Sequence, residues 1–464
     1  MRKQSSCRLA LLPVGLLAIA CLTLVLPHGQ ALSATVSVSQ SGDDGQIDTC
    51  TLRQAIESIN IASTNGNNCD VMGDFGVDDT VLIPEIVSSP IILSDHSDSQ
   101  LTVEVPMVIE GPGRSAMTIM RSDESQSTFR VFNIDADSAT LRGLSISGGA
   151  VDSSEGGGCI LSNGELVLQR VRVEDCQASV TSSGGGGAIR ANGSLTIIES
   201  GINHNQCSSK FNGTQDMCSG GGVAVTGTLT LEQSVLGGNV ADIGGALAIT
   251  EATGSDASTI SGALLHSNTA RSAGGAIHWG IRSAGYLINS TLSDNLAEPN
   301  DFSFGGGVQL ANQNAATTPV LHILNSTITR NEASVGGGGL TTIGTDPVDL
   351  HLVSSVVTEN TAPDNGDVFV NGEISGSHNL VSVSGSTLPP DTLNCDPDLG
   401  PLANNGGATM THALAQDSCA VDAGSNPQEL EFDQRGQPYG RQMGQETDIG
   451  AFELELLFQD RFEN

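Results

Sequence analysis

Basic residues and aromatic rings are scarce in this chain. Its 464 residues carry 18 Lys plus Arg against 52 Asp plus Glu, a formal net charge of −34. A surface of that sign repels phosphate backbones and anionic membranes, which argues against nucleic acid as a partner. Aromatics make up 3% of the chain and Trp279 is the only tryptophan, so a sugar platform of stacked rings has little to be built from. After the N-terminus, no apolar run approaches the ~20 residues that a transmembrane helix needs. There is no C-x-x-C pair for zinc, no H-E-x-x-H, no G-x-S-x-G elbow, no EF-hand loop and no G-G-x-G-x-D calcium repeat. Hydrophobic residues are nevertheless 38% and charged ones only 15%. That balance belongs to a folded chain and not to a disordered one.

The N-terminus reads as a secretory signal over residues 1–34. Arg2, Lys3 and Arg8 precede the apolar run LALLPVGLLAIACLTLVL (9–26), and GQALSA offers small residues for cleavage after Ala31 or Ala34. A retained anchor, or a lipid on Cys21, is the rival reading. Pro13, Pro27 and the small-residue flank favour removal. Cleavage leaves eight cysteines: Cys50, Cys69, Cys159, Cys176, Cys207, Cys218, Cys395 and Cys419. An even count in an exported chain implies disulfides, although eight cysteines allow 105 connectivities. Each cysteine and its sequence neighbour share one local region, which favours 50–69, 159–176, 207–218 and 395–419.

Glycine is abundant, at 57 residues, and it is not scattered. It clusters in EGGGCIL (155–161), GGGGAIR (184–190), GGGVAVT (220–226), GGALAIT (244–250), GGAIHWG (274–280), GGGVQLA (305–311) and GGGGLTT (336–342). A short segment of β-type alternation follows each, then an apolar residue, two variable residues and an asparagine. These are Asn205, Asn239, Asn268, Asn295, Asn331 and Asn360, with Cys176 in the equivalent place of the first unit. A repeat of near 30 residues made of strands and turns means stacked coils, each too small to bury its own apolar face. Glycine permits a sharp left-handed corner, and asparagine tolerates that conformation too. Stacked asparagine amides can also bond to one another along the axis, as in other in-register ladders. A phosphate loop would need a helix start and a lysine, which do not recur. The expected fold is all-β, a right-handed parallel β-helix over 79–395, of about a dozen rungs and roughly 55–60 Å at ~4.8 Å per rung. A β-propeller, with longer blades and antiparallel hairpins, is the runner-up.

An open β-helix exposes unpaired edges and needs caps. TCTLRQAIESINIASTNG (49–66) is the one clear helix, with Leu52, Ala55, Ile56, Ile59 and Ala62 on one face. Thr51 and Gln54 fit a capping box, and Asn65-Gly66 fit a stop. The segment 35–78 therefore reads as an N-terminal cap.

The stretch CTLRQAIESIN resembles the CSLREC motif of exported bacterial repeat proteins, matching at Cys50, Leu52, Arg53, Ala55, Ile56 and Asn60 and departing at Gln54 and Ile59. The GGA[IL] and [LI]-x-x-N pairs are similar to those of polymorphic outer-membrane proteins, whose fold is a pectin-lyase-like β-helix. Residues 396–453, with LGPLANNGG, DQRG and TDIGAFE, resemble a choice-of-anchor Q domain, with Cys419 where a proline is usual. That departure agrees with a Cys395–Cys419 bond. The tail 454–464 holds LFQDRFEN, which resembles short sorting tags; a frayed end is the other reading. The eleven residues after Glu453 leave no room for an autotransporter's membrane barrel. These resemblances imply export, a β-helix and display at the outer cell surface of a bacterium, with association to the outer membrane open, and no biochemical activity.

β-Helices also host polysaccharide lyases and glycoside hydrolases, which need carboxylates, and for lyases a base, on one face. The residues just before the repeat asparagines are His204, Gly238, Ser267, Asp294, Arg330 and Glu359, and they form no acid column. The sequence thus points to a non-catalytic adhesin, matrix component or scaffold, whose partner would be a cell-surface or matrix polysaccharide or protein. A lyase or hydrolase with an unrecognised site is the alternative. No catalytic, cofactor or metal residue stands out; Ca²⁺ is the one ion that the acidity leaves open.

Overall fold

A computed structural model describes residues 33–43, 49–94, 99–181, 184–210, 217–250, 256–282, 284–298, 303–314, 316 and 318–455. Residues 1–32 of the segment read as a signal, and the tail from 456 on, lie outside them; the last two residues of that segment, Ser33 and Ala34, are described, and Ala34 is buried with its N–H donating to Asp79 (2.6 Å). The described residues belong to one compact unit, Leu32–Asn464.

The repeat folds as stacked coils. In one coil, Ser138–Arg142 runs into Ser145–Ser147, then Ala150–Asp152, then Ile160–Ser162, and the next coil starts at Glu165–Gln169. Equivalent strands of successive coils pair in parallel, so Ser138–Arg142 lies in register with Glu165–Gln169 and Ile160–Ser162 with Ile189–Ala191. Among the described residues this builds sheets of thirteen, eleven, ten and six strands, plus one two-stranded hairpin. The fold is a right-handed parallel β-helix. The parallel ladders exclude the propeller, whose blades pair antiparallel.

The β-helix starts earlier than the sequence suggested. Thr35–Ser37 already pairs in parallel with Asp79–Leu82, so residues read as cap contribute the first rung. The largest sheet has twelve parallel strands and the ten-stranded one has ten, so the expected dozen rungs is reached along one face only.

The interior is a continuous apolar stack. Leu168, Ile197, Leu231, Ile260, Leu287, Ile323 and Leu352 are fully buried at one register position of seven successive coils. Alternation along each strand places the same apolar residue type inward in every coil. Trp279 belongs to this interior and is fully buried.

The glycine pairs do make corners. Gly274 has φ +65°, and a Cβ on its neighbour Gly275 would meet the backbone of Leu296 at 2.7 Å and the carbonyl of Gly306. The first glycine turns the chain; the second lets adjacent coils touch backbone to backbone. At the asparagine corner the outcome differs from expectation. The left-handed residue is the one before each asparagine: His204 (φ 54°), Gly238 (66°), Ser267 (54°), Asp294 (57°), Arg330 (56°) and Glu359 (57°). None of the six repeat asparagines has a positive φ. Their value to the fold lies in the side chain and not in backbone tolerance.

The helix covers the N-terminal end. It spans Leu52–Asn60, with Thr51 accepting from the Gln54 backbone and the Gln54 side chain accepting from Thr51 N–H. Leu52, Ala55, Ile56 and Ile59 are buried. It stops earlier than Asn65-Gly66, because Ala62 turns left-handed (φ 50°) and Ser63 N–H closes back on the Ser58 carbonyl. Ala62 is therefore exposed. The residues that carry the CSLREC resemblance do structural work here. Arg53 forks onto Asp43 (2.9 and 3.1 Å) and donates to the carbonyls of Ser99 and Gln100. Asn60 takes the place of a missing strand: it donates to Thr102 O and accepts from Glu104 N–H.

Candidate functional site

The six repeat asparagines form one buried column. Each Nδ2 donates to the next residue's Oδ1: Asn205 to Asn239 (3.0 Å), Asn239 to Asn268 (3.0 Å), Asn268 to Asn295 (2.9 Å), Asn295 to Asn331 (2.8 Å) and Asn331 to Asn360 (2.9 Å). The same Oδ1 accepts the preceding asparagine's backbone N–H, and each Nδ2 also donates to a carbonyl of the coil before, as Asn268 does to Leu236 O. Each amide thus ties three coils together. The column has polarity. It starts at Cys176, whose N–H donates to Asn205 Oδ1, and ends at Asp367. An end residue needs only to accept. Asp367 does so from Asn360 N–H (3.0 Å), Asn360 Nδ2 (2.9 Å) and Val383 N–H (2.7 Å). Burial pushes its carboxyl above the usual range, against the pull of those donors.

A second column runs beside it, which sequence reading missed. Ser200, Ser234, Ser290, Ser326 and Ser355 each stand five residues before a repeat asparagine. Their hydroxyls accept the backbone N–H of the coil before, as Ser234 does from Ser200 (3.0 Å) and Ser355 from Ser326 (3.2 Å). The fixed spacing was the available signal.

All four neighbour pairs of cysteines are disulfides, with Cα separations of 4.7 Å (Cys50–Cys69), 5.6 Å (Cys159–Cys176 and Cys207–Cys218) and 6.7 Å (Cys395–Cys419). Each is within bonding reach. Such bonds belong to an oxidising compartment, as an exported chain meets. Among the described residues no helix is long and apolar enough to cross a membrane.

Residues 396–455 fold back along the coils as a lobe. Asn289 and Asn325 donate to the carbonyls of Phe432 and Ser425, and Ala451 N–H donates to Thr327 Oγ1. Inside the lobe, Arg435 sits between the rings of Tyr439 (3.9 Å) and Phe452 (4.1 Å), pairs with Asp433 (2.7 Å) and donates to Glu453 O. Arg441 faces Glu453 at 3.5 Å and donates to Asp448 O. Burial pushes Glu453 up to about 7, with Arg441 opposing, and raises Asp448 as well. The DQRG and TDIGAFE residues therefore lock the lobe.

Where the lobe stops, the same flank of the β-helix opens into a groove of about 810 Å³. Four of the chain's arginines line it: Arg114, Arg142, Arg170 and Arg172. The chain has two lysines, Lys3 and Lys210, among 18 basic residues, hence sixteen arginines, so a quarter of them meet here. Corner residues Gly143, Arg170, Glu199 and Gln233 follow one another coil by coil, and Ser145, Arg172, Gly201 and Val235 do so beside them. Gly143 is left-handed (φ +63°), and a Cβ there would meet the Gly111 carbonyl oxygen at 2.7 Å. Arg114 reaches over to the carbonyl of Glu199 (2.8 Å), Arg142 Nε lies 3.5 Å from Glu110 with no hydrogen-bond partner, and Arg170 is exposed. Arg114, Arg142 and Arg170 lie 28 residues apart, close to one coil. That spacing was legible and was not read. Among the described residues no group of three His, Cys, Asp or Glu could hold a metal ion.

No family model matches the chain, and a search of curated proteins gives no match.

Proposed function

We propose that the protein is an exported, non-catalytic β-helix that acts at or outside the bacterial cell surface as an adhesin, matrix component or interaction scaffold. The observation that carries this reading is the unbroken asparagine column from Cys176 to Asp367. It joins each coil from Cys176 to Asp367 to its neighbours and makes a stiff support for repeated weak contacts, which multivalency strengthens. The carboxyls that burial perturbs most, Asp367, Asp448 and Glu453, are engaged by backbone N–H groups within the column or the lobe. Asp448 and Glu453 are shut inside the lobe, and Asp367 ends the column beside Glu359 and Asp396 with both carboxylate oxygens taken by N–H donors. The likeness of residues 49–60 to CSLREC segments and of 396–453 to choice-of-anchor Q regions supports display, and the tail 454–464 fits a sorting role.

The test is incubation of the purified protein with pectate, polygalacturonate, alginate and chondroitin, with and without Ca²⁺. No release of unsaturated or reducing ends is expected. Release that is abolished by changing an acidic residue on the coils would turn the reading to a lyase or hydrolase.

A further inference from the structure

We propose that the arginine groove at residues 110–235 binds a linear acidic polysaccharide, one whose sugars carry carboxylate or sulfate groups along the chain. This deepens the scaffold reading by naming its partner class, and it rests on that reading only for the claim that the glycan leaves intact.

Three observations lead to it. The first is charge. The groove lining holds Arg114, Arg142, Arg170 and Arg172 against Glu110 and Glu199, and Glu174 lies 3.9 Å from Arg172 just outside it, so the balance is 4 − 3 = +1 on a chain of net charge −34. A locally positive strip on a strongly negative protein focuses an anion on that strip and away from the rest. Guanidinium forks match carboxylate and sulfate geometry. The second is spacing. The arginines do not converge on one point, as a pocket for a single small anion would require. They rise from successive levels, and the groove runs from Gly111 through Gly143, Arg170 and Glu199 to Gln233. Five levels at ~4.8 Å span ~19 Å, the length of a short extended oligomer. The third is continuity. Further along the same corner column the lobe lies across the coils, held by Asn289 and Asn325 donating to its carbonyls. Thr409 of the lobe reaches Gly262 O and Ala408 closes the groove's end. The flank is thus already a surface that seats an extended chain. Its open half offers guanidinium donors where the covered half offers amides.

The lining also decides among polyanions. It has Ser115, Asn203 and Gln233 for hydroxyl groups and no aromatic residue. Nucleic-acid bases would find no ring to stack on, and the side chains of a peptide would find no apolar pocket.

Titration calorimetry of the purified protein would compare alginate and chondroitin sulfate oligomers of equal length with a neutral gluco-oligosaccharide and an oligo-glutamate peptide. The two acidic glycans distinguish carboxylate from sulfate recognition. At least one should bind, with an affinity that falls as salt rises. Arg170→Gln/Arg172→Gln should weaken it tenfold or more without changing the melting temperature, whereas Arg271→Gln, on the six-stranded sheet beside Asp242, should not. The proposal is overturned if no acidic glycan binds, if the neutral sugar or the peptide binds as tightly, or if the groove variant binds like the parent. A charge-keeping Arg170→Lys/Arg172→Lys variant guards against misfolding and should retain part of the affinity. Mass spectrometry of the recovered oligomer separates the two readings. Intact chains support both. Shortened chains leave the groove assignment standing and overturn the scaffold. Loss of binding alone overturns the groove and leaves the scaffold untouched.

Discussion

The coils and the lobe solve the same problem with opposite chemistry. Both must bury polar groups. In the coils the buried polar columns are neutral, Asn upon Asn and Ser above Ser, and each bond is one of many copies. In the lobe two guanidinium groups and three carboxylates are packed into a few residues, Asp433, Arg435, Arg441, Asp448 and Glu453. Its described residues form only one hairpin, Leu399–Ala403 with Thr411–Leu414, and a small apolar cluster around Leu399, Leu414, Ile449 and Phe452. A repeating chain can use identical neutral partners, because the next coil always supplies the complement. An irregular chain has no next copy, and it relies on pairs that fit only one another. Repetition should therefore spread damage thinly along the coils, whereas one change should release the lobe.

The sharpest way to break this comparison is Arg435→Ala. It would leave the Asp433 carboxylate buried without its cation, Glu453 O without its donor and the rings of Tyr439 and Phe452 facing a gap. Breaking a buried pair in this manner costs about 3–5 kcal/mol. Limited proteolysis should cut within 396–455 while the coils keep their melting temperature. A single unfolding transition, shifted as a whole, would show instead that lobe and coils are not separable.

Asn268→Leu should come next, at about 3 kcal/mol, the cost of orphaning more than one buried group. It removes the acceptor of Asn239 N–H and Nδ2 and the donor to Leu236 O and Asn295 Oδ1. Denaturant melts would measure it. The polarity of the column sharpens the test: Asn268→Asp supplies an acceptor where a donor is also required, so it should cost more than a polar swap at an exposed site. An Asn268→Leu protein as stable as the parent would deny the column any role in holding coils together.

Acidity separates the regions a third way. Glu453 stands at about 7 in the folded lobe against 4.5 for the ordinary carboxyl. Its folded value is raised, so the penalty of burying its charge is fully present above about 7, shrinks as pH falls, and is gone below 4.5. The lobe should therefore be held more firmly at pH 5 than at pH 8. Burial holds His412, which packs in the lobe, below its usual range, and this acts in the opposite sense as pH falls past 6.5. Comparing the parent with Glu453→Gln cancels the histidine contribution. The difference in lobe stability should change by about 2 kcal/mol between pH 8 and 5, less than the full shift implies because pH 5 still lies above the ordinary carboxyl value of 4.5. Parallel pH profiles for the two proteins would refute the assignment.

What could be read in the sequence follows the same division. A repeat near 30 residues announced the coils, because identical demands recur at identical positions. Asn205 through Asn360 and the glycine pairs were visible for that reason. The left-handed residue before each asparagine was not, since His204, Gly238, Ser267, Asp294, Arg330 and Glu359 share no chemistry; the corner needs a conformation and tolerates any side chain that points outward. The absent acid column had the same origin. Asp367 escaped because an end occurs once. The partners in the lobe lie up to twenty residues apart with no periodicity; Asp433 and Arg435 are near neighbours, and only packing brings them to Glu453. The groove arginines fell between, periodic but set on three different local positions.

The smallest expected effect tests whether neutral columns are equal. Ser234 accepts one N–H, from Ser200 at 3.0 Å, and donates within its own coil to Glu232 O at 2.7 Å. It ties two coils, where Asn268 ties three. The chain itself places Ala263 at the equivalent point of the following coil, so a methyl group fits the column. Ser234→Ala should then cost about 1 kcal/mol, the net worth of one hydrogen bond, and no more than half the cost of Asn268→Leu measured in the same denaturant. Both sites are fully buried in the coils, and neither has a bond to the lobe, so the contrast isolates the number of coils each side chain joins. Equal costs would mean that burial alone sets the penalty. A smaller cost for serine would mean that the asparagine column is the spine of the β-helix and the serine column its trim.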